Sequence, residues 1–336
     1  MITGGLFDLQ VNGYAGVDFN DPSITPQQLD DALEAMRAGG VTGCLPTLIT
    51  AHPVELTERF RALDAAVRAS RLGMAMVPGY HLEGPFLNAS PGYCGCHPPQ
   101  AMTDPDLGLV RQLDSLLARP ILLVTLAPER TGGVAAVRGL AEVGKAVAIG
   151  HSAAGFAEVR QAAVAGASLS THLGNGLPAM LPKLENTLLA QLSEPRLTAC
   201  LIADGHHMTP EALAAIVRLK GADHCILVSD AVLAAGADPG TYRFAGVDVV
   251  LGHDERVARP GEPGLAGSAL KLEQAVRNVA AWQIAHAPAC IEMAGARPRA
   301  AIGSALRHAG LKLDPGKIEW NSALEPRLVT AGSIAA

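Results

Sequence analysis

Short, continuously apolar segments alternate with helical segments along most of this 336-residue chain, and this alternation restricts the fold more than any other feature. Segments that are apolar throughout are typical of strands in a parallel sheet whose two faces are both covered. Their alternation with helices predicts repeated βα units. The eight predicted strands are Gly4–Val11, Gly40–Leu48, Met74–Leu82, Ile121–Leu126, Ala146–Ile149, Ser168–Thr171, Thr198–Ala203 and Cys225–Val228.

The segments between these strands show the spacing of amphipathic helices. We expect Thr209 to be the N-cap of one such helix and Pro210 its first residue, because these residue types favour those positions. A further helix is predicted over Leu270–Trp282, whereas the tail beyond Leu311 shows no regular pattern. Two clear examples of the helical spacing are Pro26–Ala38 and Pro210–Leu219.

Polar or ionisable residues stand at or just after the ends of nearly all the predicted strands. In a closed (β/α)8 barrel those ends meet on one face, where catalytic groups are found. In the competing fold, an open doubly wound sheet, they would be spread along an edge. We therefore predict a TIM barrel over residues 1–310, with a β-hairpin insertion at about 241–262 above its mouth. The polar residues are Gln10, Asn12, Thr47, Glu83, Glu129, His151, His172, His207 and Asp230.

The overall composition argues against several classes of partner. There are 26 basic and 32 acidic residues and no basic run, so the chain is not expected to bind nucleic acid or an anionic membrane. No apolar run reaches the roughly 18 residues that a membrane span needs. The first residues, MITGGLFDLQ, lack the pattern of a signal peptide. The six cysteines form no CxxC pair, which is typical of reduced thiols in a cytoplasmic protein.

Three of the strand-end residues have the chemistry of metal ligands. They are Glu83 in HLEGPF, His151 in GHS and His172 in THL. Each one alone is readily explained as an ordinary hydrogen-bonded polar residue. An ionised glutamate and two histidines at one barrel mouth, however, need partners. Two imidazoles and one carboxylate suit Zn²⁺, or alternatively Fe²⁺, and leave positions open for water and substrate.

Asp230, which follows the eighth predicted strand, is the candidate catalytic base. A carboxylate beside a metal site can accept a proton from water and return it to a leaving amine. The alternative role is that of a helix N-cap, which is common for Asp after a strand. His206 and His207 occur in the motif ADGHH, and we expect one of them to reach the substrate.

Taken together, the motifs of the chain resemble those of N-acetylglucosamine-6-phosphate deacetylases, which are TIM-barrel amidohydrolases. In chain order these motifs are DLQVNG, HLEGPF, GCHPP, TLAPE, GHS, THL, ADGHH, SDA and LAGS. The resemblance extends from about Gly4 to about Gly303 and covers the whole predicted barrel.

The resemblance implies that Glu83, His151 and His172 bind one divalent metal ion. Many amidohydrolases carry a His-x-His pair on the first strand that helps to hold a second metal. Gln10 and Asn12 occupy those positions here, and neutral amides are poor ligands for a transition metal. The one-metal variant of the family is therefore expected, with Zn²⁺ as the first choice and Fe²⁺ as the second.

The same resemblance makes Asp230 the proton shuttle and His207 a contact of the substrate. Because the family borrows a phosphate contact from a neighbouring subunit, it also implies a homodimer. Further candidate substrate contacts are His97, Asn175, Gly84 and His206.

The chain departs from the family in two loops. Where the family has a phosphate-contacting Arg, the stretch Leu181–Asn186 has none. The THL motif is followed by Gly174-Asn175-Gly176 instead of an aromatic residue and Asn-Ala-Met. We therefore expect the preference for a 6-phosphate to be weak or absent, unless Lys183, His206 or Arg130 replaces the missing Arg.

The expected activity is metal-dependent hydrolysis of the amide of an N-acetylated amino sugar, N-acetylglucosamine-6-phosphate or a relative, to amine and acetate. One alternative is a deacylase of another N-acyl compound, such as an N-acyl amino acid. Another is a non-catalytic binding protein on the same scaffold, although the complete ligand set argues against it. The usual small β-sandwich is expected to be missing or reduced, with residues 311–336 as its remnant.

Overall fold

Eight parallel strands form the centre of the protein in the computed structural model, which describes residues 1–262 and 264–329. Each strand pairs with the next one along the chain, as repeated βα units require. The first and fourth strands are buried at every position, as expected for strands covered on both faces. In order, the strands are Leu6–Val11, Val41–Ile49, Tyr80–Glu83, Ile121–Leu126, Ala146–Ile149, Leu169–Ser170, Thr198–Leu201 and Cys225–Leu227.

Backbone contacts between the first and eighth strands close the barrel. The N–H of Asp230 donates to the carbonyl of Gln10 at 2.9 Å, and the N–H of Asn12 donates to the carbonyl of Ala231 at 2.7 Å. The predicted TIM barrel is therefore confirmed, and the carboxyl ends of its strands share one face.

Helices connect the strands around the outside of the barrel. Thr209 caps the helix that begins at Pro210, as predicted, and its hydroxyl accepts the N–H of Ala212 at 3.3 Å. Within residues 1–262 and 264–329, no helix is long and apolar enough to cross a membrane. The α-helices are Pro26–Ala38, Pro53–Ala69, Gly73–Met76, Leu107–Asp114, Gly133–Glu142, Phe156–Ala165, Thr187–Ser193, Pro210–Lys220, Leu272–Ala281, Ala287–Ala294, Ala296–Ala301 and Gly303–His308.

The prediction for the third strand is wrong in its first half. Residues from Met74 onward were expected to be extended, but Gly73–Met76 is a helical turn and the strand is Tyr80–Glu83. The Ser70 hydroxyl accepts the N–H of Gly73 at 2.8 Å and so supports the start of the turn. A short apolar run cannot be told from a buried helical segment by its periodicity alone.

Four antiparallel strands lie beside the barrel mouth, and they are Gly240–Phe244, Val247–Leu251, Arg256–Ala258 and Leu265–Ser268. The first two form a hairpin within the region predicted as an insertion. Phe244 and Val249 of this hairpin pack with Ile49, the last residue of the second barrel strand, in one apolar cluster. The sheet therefore forms part of the wall of the mouth.

Both ends of the chain contribute to a small antiparallel sheet, which consists of Ile2–Thr3, Ile318–Trp320 and Pro326–Leu328. Trp320 is buried, and its indole N–H donates to the Thr3 hydroxyl at 2.9 Å. The small β domain is thus present in reduced form. The expectation that the tail has no regular structure is wrong, because strands of three residues carry too little periodicity to be recognised. Residues 330–336 of the tail lie outside the described part of the chain.

Candidate active site

The carboxyl ends of the barrel strands surround a cavity of about 300 Å³. Glu83 is the last residue of the third strand, and His151 and His172 stand just after the fifth and sixth strands. Asp230 follows the eighth strand. All four residues line the cavity, although they are far apart in the sequence. The barrel thus brings together the predicted metal ligands and the predicted base.

The buried carboxylate of Glu83 lies among three imidazole rings. Its oxygens are 3.1 Å from Nε2 of His172, 3.5 Å from Nε2 of His151 and 3.8 Å from Nε2 of His97. Burial raises the pKa of Glu83, but the contacts with His151 and His172 outweigh burial and hold that pKa well below its usual range. The carboxylate is therefore ionised at neutral pH.

Two ring nitrogens at this site are buried without a hydrogen-bond partner among the described residues, and they are Nε2 of His151 and Nδ1 of His172. The other nitrogen of His151, Nδ1, donates to the carbonyl of Tyr93 at 2.7 Å, so Nε2 is the nitrogen available to a metal. Ligand atoms of Glu83, His97 and His151 lie within 4.8 Å of one another. A carboxylate beside imidazole nitrogens is a donor set that fits a divalent transition metal.

His97 is the member of this group that the sequence suggested only as a substrate contact. Its Nδ1 accepts the backbone N–H of Thr50 at 3.3 Å and lies 2.9 Å from the hydroxyl of the same residue. Because a backbone N–H can only donate, we assign the ring proton to Nε2, the nitrogen that faces Glu83. Burial lowers the pKa of His97 to about 3, and the ring is therefore neutral. Because His97 lies in an irregular loop, no periodic signal in the sequence could have placed it beside Glu83.

Gln10 and Asn12, at the end of the first strand, orient the two carboxylates of the site. Nε2 of Gln10 donates to Glu83 at 3.0 Å, and Nδ2 of Asn12 donates to Oδ1 of Asp230 at 2.8 Å. These amides occupy the positions where other amidohydrolases have a histidine pair. They hold the carboxylates in place and are not themselves suited to bind a transition metal.

Asp230 does not cap a helix, because the residues after it form turns and the next element is the strand Gly240–Phe244. Burial raises the pKa of its carboxyl to about 6, while the positive charge of His172 partly opposes this rise and the charge of Glu83 adds to it. A carboxylate with a pKa near neutrality is suited to accept and return a proton.

Three residues of the site have a left-handed backbone. The φ angle is +49° at His151, +27° at His172 and +47° at Asp230, a left-handed region that residues other than Gly, Asn and Asp seldom adopt. At the two histidines this conformation is strained, which costs about 1–3 kcal/mol per residue and is typical of functional sites. A neighbouring glycine makes room for one ring, since a Cβ at Gly176 would lie 2.5 Å from Nδ1 of His151.

The structure divides the predicted substrate contacts into two groups. His207 and Asn175 line the cavity, and Nδ1 of His207 hydrogen-bonds the Asp204 carboxylate at 2.6 Å, which leaves Nε2 for a ligand. His206 is exposed and lines a different cavity. Gly84 does not line the catalytic cavity. Its position requires glycine, because φ is +87° and a Cβ would lie 2.1 Å from the hydroxyl of Thr50.

Curated relatives of the chain act on acetylated amino-sugar phosphates. The chain is 33% identical over 302 residues to an N-acetylgalactosamine-6-phosphate deacetylase of Escherichia coli, and the match covers 90% of this chain and 75% of that protein. It is 34% identical over 281 residues to an N-acetylglucosamine-6-phosphate deacetylase of Lysinibacillus sphaericus, with 82% and 69% covered. No model of a protein family matches the chain.

Solved structures agree with these relatives. A mutant N-acetyl-D-glucosamine-6-phosphate deacetylase of Mycobacterium smegmatis, in complex with N-acetyl-D-glucosamine-6-phosphate, has a TM-score of 0.85 at 29% identity, covering 97% of this chain and 84% of that one. The deacetylase of Pasteurella multocida has a TM-score of 0.83 at 26% identity, covering 97% and 83%. With this agreement in sequence and fold, the chain belongs to the N-acetylglucosamine-6-phosphate deacetylase family.

Proposed function

We propose that the protein removes the acetyl group from an N-acetylated amino sugar, N-acetylglucosamine-6-phosphate or a relative, and releases the amine and acetate. One observation carries the proposal: within one cavity, the ionised carboxylate of Glu83 and the imidazoles around it face the carboxylate of Asp230. Metal-assisted hydrolysis of an amide uses a cation that polarises the carbonyl group and a base that moves a proton. The names of the relatives support the same activity.

One divalent ion, Zn²⁺ or alternatively Fe²⁺, would be held by Glu83, His151 and His172. When bound, such an ion polarises the amide carbonyl and makes a water molecule more acidic. His97 presents an N–H toward the site, because its Nδ1 is occupied by a backbone N–H. We therefore assign His97 as a hydrogen-bond donor to the carbonyl oxygen of the substrate, where negative charge develops.

Asp230 is assigned the proton transfers. Its carboxylate accepts a proton from the attacking water and returns it to the amine nitrogen as the C–N bond breaks. Asn12 donates to Oδ1 of Asp230 at 2.8 Å, which leaves Oδ2 to take the proton. Asn12 is therefore a positioning residue that acts through Asp230.

The cavity offers polar groups to a sugar but no fixed positive charge to a phosphate. Among the described residues that line it there is no Lys or Arg. The three candidate replacements for the family's Arg do not line it either: Lys183 is exposed, Arg130 pairs with Asp104 at 2.9 Å, and His206 lines another cavity. We therefore propose that a 6-phosphate contributes little to recognition of the substrate.

A hydrolysis screen on metal-loaded protein tests both parts of the proposal. It compares kcat/KM for N-acetylglucosamine and its 6-phosphate and includes a panel of N-acyl amino acids. We expect acetate release from both sugars at comparable rates. A hundredfold advantage for the phosphorylated sugar, which is about 2.7 kcal/mol of transition-state binding, would contradict the assignment of the phosphate. Activity only on acyl amino acids, or none at all, would contradict the assignment of the substrate.

A pair of matched variants tests which residues bind the metal. His172→Gln should lose bound metal, because it removes a proposed ligand. His97→Gln should keep one metal equivalent and lose turnover, because it removes only a hydrogen-bond donor. Elemental analysis of the two purified variants shows which histidine binds the metal. Loss of metal in His97→Gln but not in His172→Gln would make His97 the ligand and His172 the hydrogen-bond donor.

We further propose that the protein forms a homodimer and is located in the cytoplasm. The homodimer rests on the family resemblance alone, and size-exclusion chromatography with light scattering would test it. The location rests on six cysteines that are all free thiols.

A further inference from the structure

A second cavity, of about 560 Å³, adjoins the catalytic cavity, and we call it the side cavity. Five residues line both cavities and form the boundary between them, and they are Ile49, Gly95, Cys96, His97 and Phe244. The side cavity is lined by the loop that contains residues 94–101, by the beginning of the helix Pro53–Ala69 and by the antiparallel sheet. The proposed deacetylase mechanism makes no use of this space.

The polarity of the catalytic cavity decides which part of the substrate faces the side cavity. The hydroxyl groups of a sugar need hydrogen-bond partners, which His207 and Asn175 offer. The methyl group of an acyl chain favours apolar surface, which Ile49 and Phe244 offer at the boundary. An acyl chain longer than acetyl would therefore extend across this boundary into the side cavity.

The described residues that line the side cavity include two arginines, Arg59 and Arg259. Glu55 is the acidic residue among its described lining residues, and it pairs with the buried Arg59, whose Nε still lacks a hydrogen-bond partner in the described ranges. Arg259 donates to the carbonyl of Cys96 at 3.2 Å and has no carboxylate partner among residues 1–262 and 264–329. A guanidinium in this position matches the planar, two-oxygen geometry of a carboxylate.

From these contacts we propose that the side cavity binds an N-acyl group that is longer than acetyl and ends in a carboxylate, with Arg259 as the partner of that carboxylate. The inference rests on the proposed deacylase function and narrows its class of substrate. Hydrolysis breaks the amide C–N bond, adds the hydroxyl of water to the acyl carbon and transfers the remaining proton to the amine. The products are a dicarboxylic acid and the free amino sugar, and no other co-reactant is required.

The test compares two acyl groups of equal chain length, in N-succinylglucosamine, which ends in a carboxylate, and N-butyrylglucosamine, which is neutral. Binding to metal-loaded Asp230→Asn protein is measured by calorimetry, so that turnover does not interfere. We expect the succinyl compound to bind at least about tenfold more tightly than the butyryl compound. A hydrogen bond between its carboxylate and the guanidinium of Arg259 accounts for a difference in affinity of about this size. Arg259→Gln in the same background should remove the preference, and Arg259→Lys should retain part of it.

Arg243→Gln is the matched control, because Arg243 lies on the antiparallel sheet whose third strand precedes Arg259, is exposed and pairs with Asp248 at 3.4 Å outside the side cavity. This variant should keep the preference for the succinyl compound. Equal binding of the two compounds, or a preference that survives Arg259→Gln, would overturn the inference. If Arg259 only supports the loop at Cys96, its replacement weakens both compounds equally, and this result also overturns the inference.

Failure of the inference is separable from failure of the proposed function. The ratio of succinyl to butyryl binding reports on the side cavity alone, whereas acetate release from N-acetylglucosamine by the wild-type protein reports on the activity. A further comparison uses glucosamine 6-phosphate and glucosamine as probes. If Arg259→Gln abolishes a preference for the phosphorylated amine, the sugar and not the acyl chain faces the side cavity, and the inference is wrong.

Discussion

Replacement of Asp230 by Asn tests the assignment of the catalytic base most directly. The two side chains have the same shape, and Asn tolerates the left-handed backbone at this position, where φ is +47°. The new amide oxygen can still accept the hydrogen bond that Asn12 donates at 2.8 Å. The variant therefore loses the negative charge and the ability to take a proton, while the local structure is kept.

The expected effect is large on turnover and small on stability. Loss of a general base lowers the rate by about 10²–10⁴, which corresponds to about 3–5 kcal/mol in the free energy of activation. The proposed ligands Glu83, His151 and His172 are unchanged, so metal occupancy should remain at one equivalent. Acetate release at saturating substrate gives kcat, and elemental analysis and a thermal melt of the same sample give occupancy and stability.

Two outcomes would refute this reasoning. Turnover within a few-fold of wild type at full metal occupancy would show that Asp230 is not the base. Loss of the metal together with the activity would show that Asp230 acts mainly in metal binding. A fall in kcat at full occupancy and with an unchanged melting temperature is the result that supports the assignment.

Three further predictions follow from the same structure. Elemental analysis should give one divalent ion per chain, and chelation should abolish turnover; two full equivalents at the barrel mouth would contradict the ligand assignment. Gly176→Ala places a Cβ 2.5 Å from Nδ1 of His151 and should weaken metal affinity at least about tenfold, whereas Gly132→Ala, with a similar φ of +76° and nothing within 4 Å, should not. Burial raises the pKa of Asp8 to about 7. Between about pH 4 and pH 7, the Asp8 carboxyl is therefore protonated in the folded state and ionised in the unfolded state. The free energy of unfolding of the wild type should therefore fall by about 1.4 kcal/mol per pH unit as pH rises through this window, relative to that of Asp8→Asn. Urea unfolding at several pH values measures both proteins, and free energies that change in parallel with pH would refute this prediction.

Local features of the sequence determined the regular elements of this protein. The helix Pro26–Ala38 and the strand Ile121–Leu126 have the predicted bounds, because caps and apolar periodicity are set by residues within a few positions of each other. The repetition of such units predicted the barrel, since parallel strands need helical connections and successive units pack side by side. Once the barrel was predicted, the strand-end positions of Glu83 and Asp230 placed them on one face.

Only the tertiary structure decided how the side chains on that face are paired. Residue spacing does not show that His97 receives a hydrogen bond from Thr50 and turns its N–H toward Glu83, nor that Gln10 donates to the same carboxylate. The strand Ile318–Trp320 likewise becomes regular only through its pairing with the first residues of the chain. Such contacts join residues that are distant in the sequence and pass through irregular loops. Whether a hydrogen bond forms, and which atom donates, depends on the positions of both partners in space, and no local pattern specifies those positions.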